Sequence, residues 1–114
     1  MYLARSQQPV GGGSDSPVTP YEPLLGIWSS VTRQTHAAGV QGPEWKISAE
    51  EALRMYTLGS AYAAFEEDQK GSISPGKLAD LVVLDADPCQ VEPEAIRDIR
   101  VLLTVVDGRP VFEG

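Results

Sequence analysis

Gly71-Ser72-Ile73-Ser74-Pro75-Gly76-Lys77-Leu78-Ala79-Asp80-Leu81-Val82-Val83-Leu84-Asp85 is the stretch where the chain changes its period. Gly71, Pro75 and Gly76 punctuate it, and Leu81, Val82, Val83 and Leu84, bounded by Asp80 and Asp85, predict a short strand. An uninterrupted apolar strand calls for cover on both faces, from this chain or from another. Downstream, Pro93 opens a predicted helical turn over residues 94–99, and residues 101–106 predict a second strand. Asp107-Gly108 is a strong two-residue hairpin signal leading into Pro110-Val111-Phe112.

Upstream of Gly71 the period is helical. Leu24, Ile27, Trp28 and Val31 recur at three- and four-residue steps, which predicts an apolar stripe on a helix starting at Pro23. Gly39 and Gly42-Pro43 are the stop signals that follow. Ser48 with Glu51 three residues on predicts a capping box, and Ala52, Leu53 and Tyr56 line one face of the next helix. A glycine inside a helix costs about 1 kcal/mol relative to alanine, so Gly59 predicts a break, then a short helix over residues 61–66. Before Pro23, glycines at 11–13 and prolines at 17, 20 and 23 exclude regular structure. Composition alone favours a flexible linker there; against it, Ser14-Asp15-Ser16 sits between the glycines and Pro17, in a loop that would have to be sharply turned. The order is helices first, then a small sheet.

Composition narrows the partners. A formal charge of −7 with nine scattered basic residues excludes the clustered Lys and Arg that nucleic acid requires. No apolar run approaches the roughly 18 residues of a membrane span. A single cysteine precludes an internal disulfide, and a cytoplasmic location is the expectation.

Signals for chemistry are few. Asp15 is the best candidate, because its Gly-flanked loop presents a small carboxylate, although a lone Asp there is more often a turn residue. His36, the only histidine, reads as a surface or capping residue near a helix end. One histidine without a companion cannot make a metal site. Cys89 has no basic neighbour and reads as an ordinary thiol. Glu50-Glu51 and Glu66-Glu67-Asp68 read as solvated charges at helix ends.

Gly13-Ser14-Asp15-Ser16-Pro17-Val18 resembles the loop after the last barrel strand of the amidohydrolase superfamily, most closely its family 3 branch. Thr19-Pro20-Tyr21-Glu22-Pro23-Leu24-Leu25-Gly26-Ile27-Trp28, Ile47-Ser48-Ala49-Glu50-Glu51-Ala52-Leu53, the stretch from Gly71 to Asp85, and Val105-Val106-Asp107-Gly108-Arg109 continue the likeness in order. The resemblance implies an α/β fragment of a larger enzyme. Residues 1–68 would be the loop after the last strand plus helices of a (β/α)₈ TIM barrel. Residues 69–114 would be part of a small β-sandwich beside it. It also implies hydrolysis of C–N bonds in small-molecule substrates, using zinc or another divalent metal in the complete enzyme. Asp15 would contact the metal or its water and move a proton from that water to the leaving nitrogen. The family's HxH pair, bridging residue and later histidines have no counterpart here, and residues 3–9 are short and polar for a buried last barrel strand. The expectation is thus a piece inactive alone, with no metal of its own and a tendency to form homo-oligomers. The alternative is a stand-alone, non-catalytic module acting through self-association or partner binding.

Overall fold

A computed structural model describes residues 8–114; of the short, polar stretch before Gly11, residues 3–7 lie outside the described residues. Helix α1 spans Pro23–Thr32, with proline in its first turn. Proline suits that position, because its missing N–H would have had no partner in the helix. Ile27 and Trp28 are buried and Leu24 and Val31 half-buried, as the stripe predicts.

The helix stops before the expected glycines. Arg33 takes a left-handed conformation, φ 60°, and its N–H donates to the Ser29 carbonyl. The Thr32 hydroxyl donates back to the Trp28 carbonyl. The chain then forms a short antiparallel hairpin of β1, Gln34–Thr35, and β2, Gly39–Val40. His36 lies in that turn and is exposed; it caps no helix. Polar bonds of individual side chains, which carry no periodicity, set this boundary.

Helix α2, Ala49–Arg54, opens on the expected capping box. Glu51 N–H donates to Ser48 Oγ at 3.1 Å and Ser48 N–H to Glu51 Oε2 at 2.7 Å. Gly59 brings no break. The helix widens into a π-turn over Met55–Gly59 and continues as α3, Ser60–Ala63. Gly59 keeps helical angles, and its missing side chain admits the backbone of Val10, whose carbonyl oxygen would lie 2.0 Å from an added Cβ. Phe65, at φ 59°, ends the helical region earlier than residue 66. Nor are all the acidic residues beyond it solvated. Glu66 pairs with Lys70 at 2.9 Å, whereas Glu67 Oε2 is buried without a partner among the described residues.

The sheet is antiparallel in the order β3, Leu81–Leu84; β4, Val101–Val106; β5, Arg109–Glu113. A 3₁₀ helix over Pro93–Asp98 links β3 to β4 and buries Ile96 against α1. Val106 pairs with Arg109 across Asp107 and Gly108, at φ 50° and 73°. Two successive positive φ values give the tight turn whose twist matches the strands. Two aspartates bolt β3 to β4 at opposite ends. Asp80 Oδ1 accepts the Asp107 N–H at 2.8 Å. Asp85 accepts the Arg100 backbone N–H at 2.9 Å and its guanidinium at 2.8 Å. Strand β3 is not covered on both faces within the chain, since Val82 and Val83 are 54% and 43% exposed. The core, Ile27, Trp28, Ile47, Ala52 and Ile96, sits between the helices and the 3₁₀ segment.

Two outcomes follow from this packing. Gly59→Ala, which helix propensity alone would make stabilising, is expected to destabilise by roughly 1–3 kcal/mol because the methyl meets the Val10 carbonyl. A urea titration showing a higher midpoint would contradict the close approach. The Arg100 backbone N–H, then its guanidinium, hold the Asp85 carboxyl below the usual carboxylate range. A lowered folded-state pKa stabilises above the unfolded value of about 3.9, and that contribution fades as pH falls through the folded value. Asp85→Asn should therefore lower the melting temperature at pH 7 more than at pH 2, with Asp85 titrating by NMR below the usual carboxylate range.

Candidate functional site: the Asp15 loop

The glycines at 11–13 run directly over the π-turn. Gly12 N–H donates to the Met55 carbonyl at 2.8 Å. Ser60 Oγ lies 3.1 Å from the Gly12 carbonyl and 2.9 Å from the Met55 carbonyl, sharing its one proton between them. The Tyr56 ring packs against Gly12, where an added Cβ would come within 2.6 Å of Cδ2. Its hydroxyl abuts Gly26 of α1, where an added Cβ would come within 1.9 Å of the oxygen. One tyrosine therefore touches both the loop and the helix that follows it. Burial pushes the Tyr56 phenol up, so the ring stays neutral at ordinary pH.

Beyond this anchor the chain turns sharply, as the Gly-flanked sequence predicts. Asp15 adopts φ 56°, a left-handed conformation that aspartate tolerates better than most residues. Its carbonyl accepts the Val18 N–H at 2.9 Å, Ser16 N–H donates to Ser14 Oγ at 3.2 Å, and the Thr19 hydroxyl donates to the Ser14 carbonyl. One backbone bond and the Ser14 and Thr19 hydroxyls thus define the turn and leave the Asp15 side chain out of the work. The Asp15 carboxylate is exposed and has no hydrogen-bond partner among the described residues.

The other candidates lie elsewhere. His36 is in the β1–β2 turn, and Glu50 and Glu51 are at the start of α2. Cys89 is exposed overall, but partial burial of its sulfur, then Asp87 and Glu50 nearby, push the thiol up and keep it protonated. That agrees with an ordinary thiol. No group of three His, Cys, Asp or Glu close enough to hold a metal ion exists among the described residues. The donors present therefore do not fit a metal ion by themselves; Asp15 offers one carboxylate, and an ion needs further donors from outside them. No helix among the described residues is long and apolar enough to cross a membrane.

A cleft of about 1000 Å³ opens between α1, the π-turn and the sheet, against Leu24, His36, Tyr56, Leu81, Val82 and Phe112. It is mostly apolar, and Asp15 is not on its wall. Tyr56, Ser60 and the π-turn had escaped sequence reasoning, where Tyr56 counted only as part of an apolar face. The available signal was the triplet of glycines together with a glycine inside a helix, both of which mark close backbone approach.

Residues 2–112 match the model of the Amidohydrolase family. The chain is 42% identical over 95 residues to an N-substituted formamide deformylase of Arthrobacter pascens, covering 83% of this chain and 18% of that enzyme. Its structure is similar to an amidohydrolase from Thermotoga maritima MSB8, with a TM-score of 0.74 and 26% identity over 98% of this chain and 25% of that one. It is equally similar to E. coli guanine deaminase, at a TM-score of 0.74 and 26% identity, over 99% of this chain and 29% of that one. The chain thus spans less than a third of the length of these relatives. With residues 2–112 matched to the family model and its α/β architecture matching a part of such structures, the chain belongs to the amidohydrolase family.

Proposed function

We propose that the chain is the C-terminal segment of a metal-dependent amidohydrolase that cleaves C–N bonds in a small molecule, inactive when isolated. The carrying observation is Asp15: an exposed carboxylate, without partners among the described residues, in a left-handed conformation on a turn held by the Asp15–Val18 backbone bond and by the Ser14 and Thr19 hydroxyls. In this reading residues 1–68 belong to the barrel side and residues 69–114 to a small β-sandwich. Asp15 takes a proton from the attacking water as the water oxygen bonds to the carbon, and delivers it to the nitrogen as the C–N bond breaks. The carboxylate ends the cycle as it began. The divalent ion of such an enzyme, zinc by the resemblance, draws its remaining donors from outside the described residues. The deformylase and deaminase relatives support C–N chemistry in general and leave the substrate open.

The expected outcome has two arms. The chain alone turns over no amide substrate and shows no tight zinc site by calorimetry, because a catalytic zinc usually takes about three protein ligands. In the complete enzyme, Asp15→Ala lowers turnover by roughly 10²–10⁴-fold with the fold intact by circular dichroism. Near-normal turnover in a folded variant removes Asp15 from the mechanism.

A second feature supports homo-oligomer formation. Val82, Val111 and Phe112 are each at least half exposed, and β3 and β5 are both unpaired edges of the sheet. Open edges recruit strands from other chains, and exposed apolar patches mark contact surfaces. Light scattering at low micromolar concentration is expected to give a dimer mass or larger. A sharp monomer peak with protected β3 amides rejects the association.

A further inference from the structure

We infer that Tyr56 and Ser60, carried on the π-turn, are the positioning residues of the Asp15 loop; this rests on the reading of Asp15 as the reactive carboxylate. Asp15 has no side-chain bond of its own among the described residues, so its placement must come through the backbone. Besides the bonds of the turn itself, the backbone leading into it is held by residues 10–12 against the helical segment that carries the π-turn. There Gly12 is gripped on three sides: its N–H by the Met55 carbonyl, its carbonyl by Ser60 Oγ, and its bare Cα face by the Tyr56 ring.

The widened turn makes this grip possible. In a regular α-helix a backbone carbonyl is directed along the axis toward an N–H four residues on, and is engaged there. Here the Met55 carbonyl, at the start of the π-turn, accepts from the Gly12 N–H of the loop and from the Ser60 hydroxyl. Single π-turns inside α-helices occur frequently at functional sites, and this one faces the loop that bears the candidate carboxylate. Tyr56 adds the second coordinate. Because its hydroxyl end is fitted against Gly26 while its ring covers Gly12, both ends of the 13–25 connection are referenced to one rigid side chain. Two residues of one helical segment therefore set where the Asp15 turn begins and where the helix after it passes.

The test needs no turnover, so it can fail separately from the catalytic assignment. In the chain as it stands, ¹⁵N relaxation is expected to give the Asp15 amide an order parameter of about 0.85, the value of rigid backbone. Tyr56→Ala should drop it below about 0.6 and speed Gly12 amide exchange, with the helical circular dichroism kept. Tyr56→Phe, which keeps the ring over Gly12, should restore both values. Ser60→Ala should speed Gly12 exchange about fivefold, the equivalent of one ordinary hydrogen bond. Should Tyr56→Ala unfold the chain, Ser60→Ala and Tyr56→Phe decide the matter alone. An Asp15 order parameter that stays near 0.85 in folded Tyr56→Ala, or Gly12 exchange unchanged in Ser60→Ala, overturns the inference. So does a Tyr56→Phe variant as mobile at Asp15 as Tyr56→Ala.

Discussion

The Tyr56 side chain occupies space that two glycines far apart in sequence leave open. Had Gly12 or Gly26 carried even a methyl group, that methyl would fall within 2.6 Å or 1.9 Å of the tyrosine, well inside van der Waals contact. Neither position can relax cheaply, since the clash is with a ring or its attached oxygen on a half-buried helix. The contact brings three things together: the glycine loop, helix α1 and the π-turn. It also borders both the core and the large cleft.

The two halves of the chain are stabilised by different physics. The helical half buries Ile27, Trp28, Ile47 and Ala52, with Ile96 from the 3₁₀ segment, and Arg97 lies 5.0 Å from the centre of the Trp28 ring. The sheet contributes no strand residue to this buried cluster. It is held by its ladder, by the Asp107-Gly108 turn and by the Asp80 and Asp85 clamps, while much of its apolar surface faces outward. Small domains bury a lower fraction of their surface than large ones, and here the sheet shares in the shortfall through Val82, Val111 and Phe112. A segment that spans less than a third of its relatives would have its apolar sheet face uncovered in this way if the cover lay in the remainder.

What could be read from the sequence was whatever local chemistry decides. The Ser48 and Glu51 capping box needs only residues three apart, and the Asp107-Gly108 hairpin only two adjacent backbone conformations. Both formed where expected. The sharp turn at Asp15 follows from its glycine and proline neighbours in the same way. The end of α1 was misread because glycines outweighed Thr32 and Arg33, whose side-chain and backbone bonds stop the helix first. Gly59 was misread for the opposite reason. Propensity treats a helical glycine as a defect, and it cannot know that the Val10 carbonyl fills the vacant side. The order of motifs carried the family likeness, yet the anchor of the loop stayed hidden, because it joins residues more than forty positions apart.

Those observations bear on how a single carboxylate can matter in a chain with no complete site among its described residues. A carboxylate that moves a proton must be free to gain and lose it, so strong side-chain bonds would bias it toward one state. It must also be placed to within a fraction of an ångström, because misplacement by about 1 Å can cost as much as 10²-fold in rate. Freedom of the side chain and order of the backbone are therefore separate requirements. In this chain separate residues meet them: Asp15 keeps an unbonded carboxylate among the described residues, while Gly12, Met55, Tyr56 and Ser60 hold the backbone leading to it. A loop tied down by bonds from the Asp15 carboxylate would be as ordered, but its charge would already be spent. The π-turn holds the backbone leading to Asp15 without drawing on the carboxylate proposed to react.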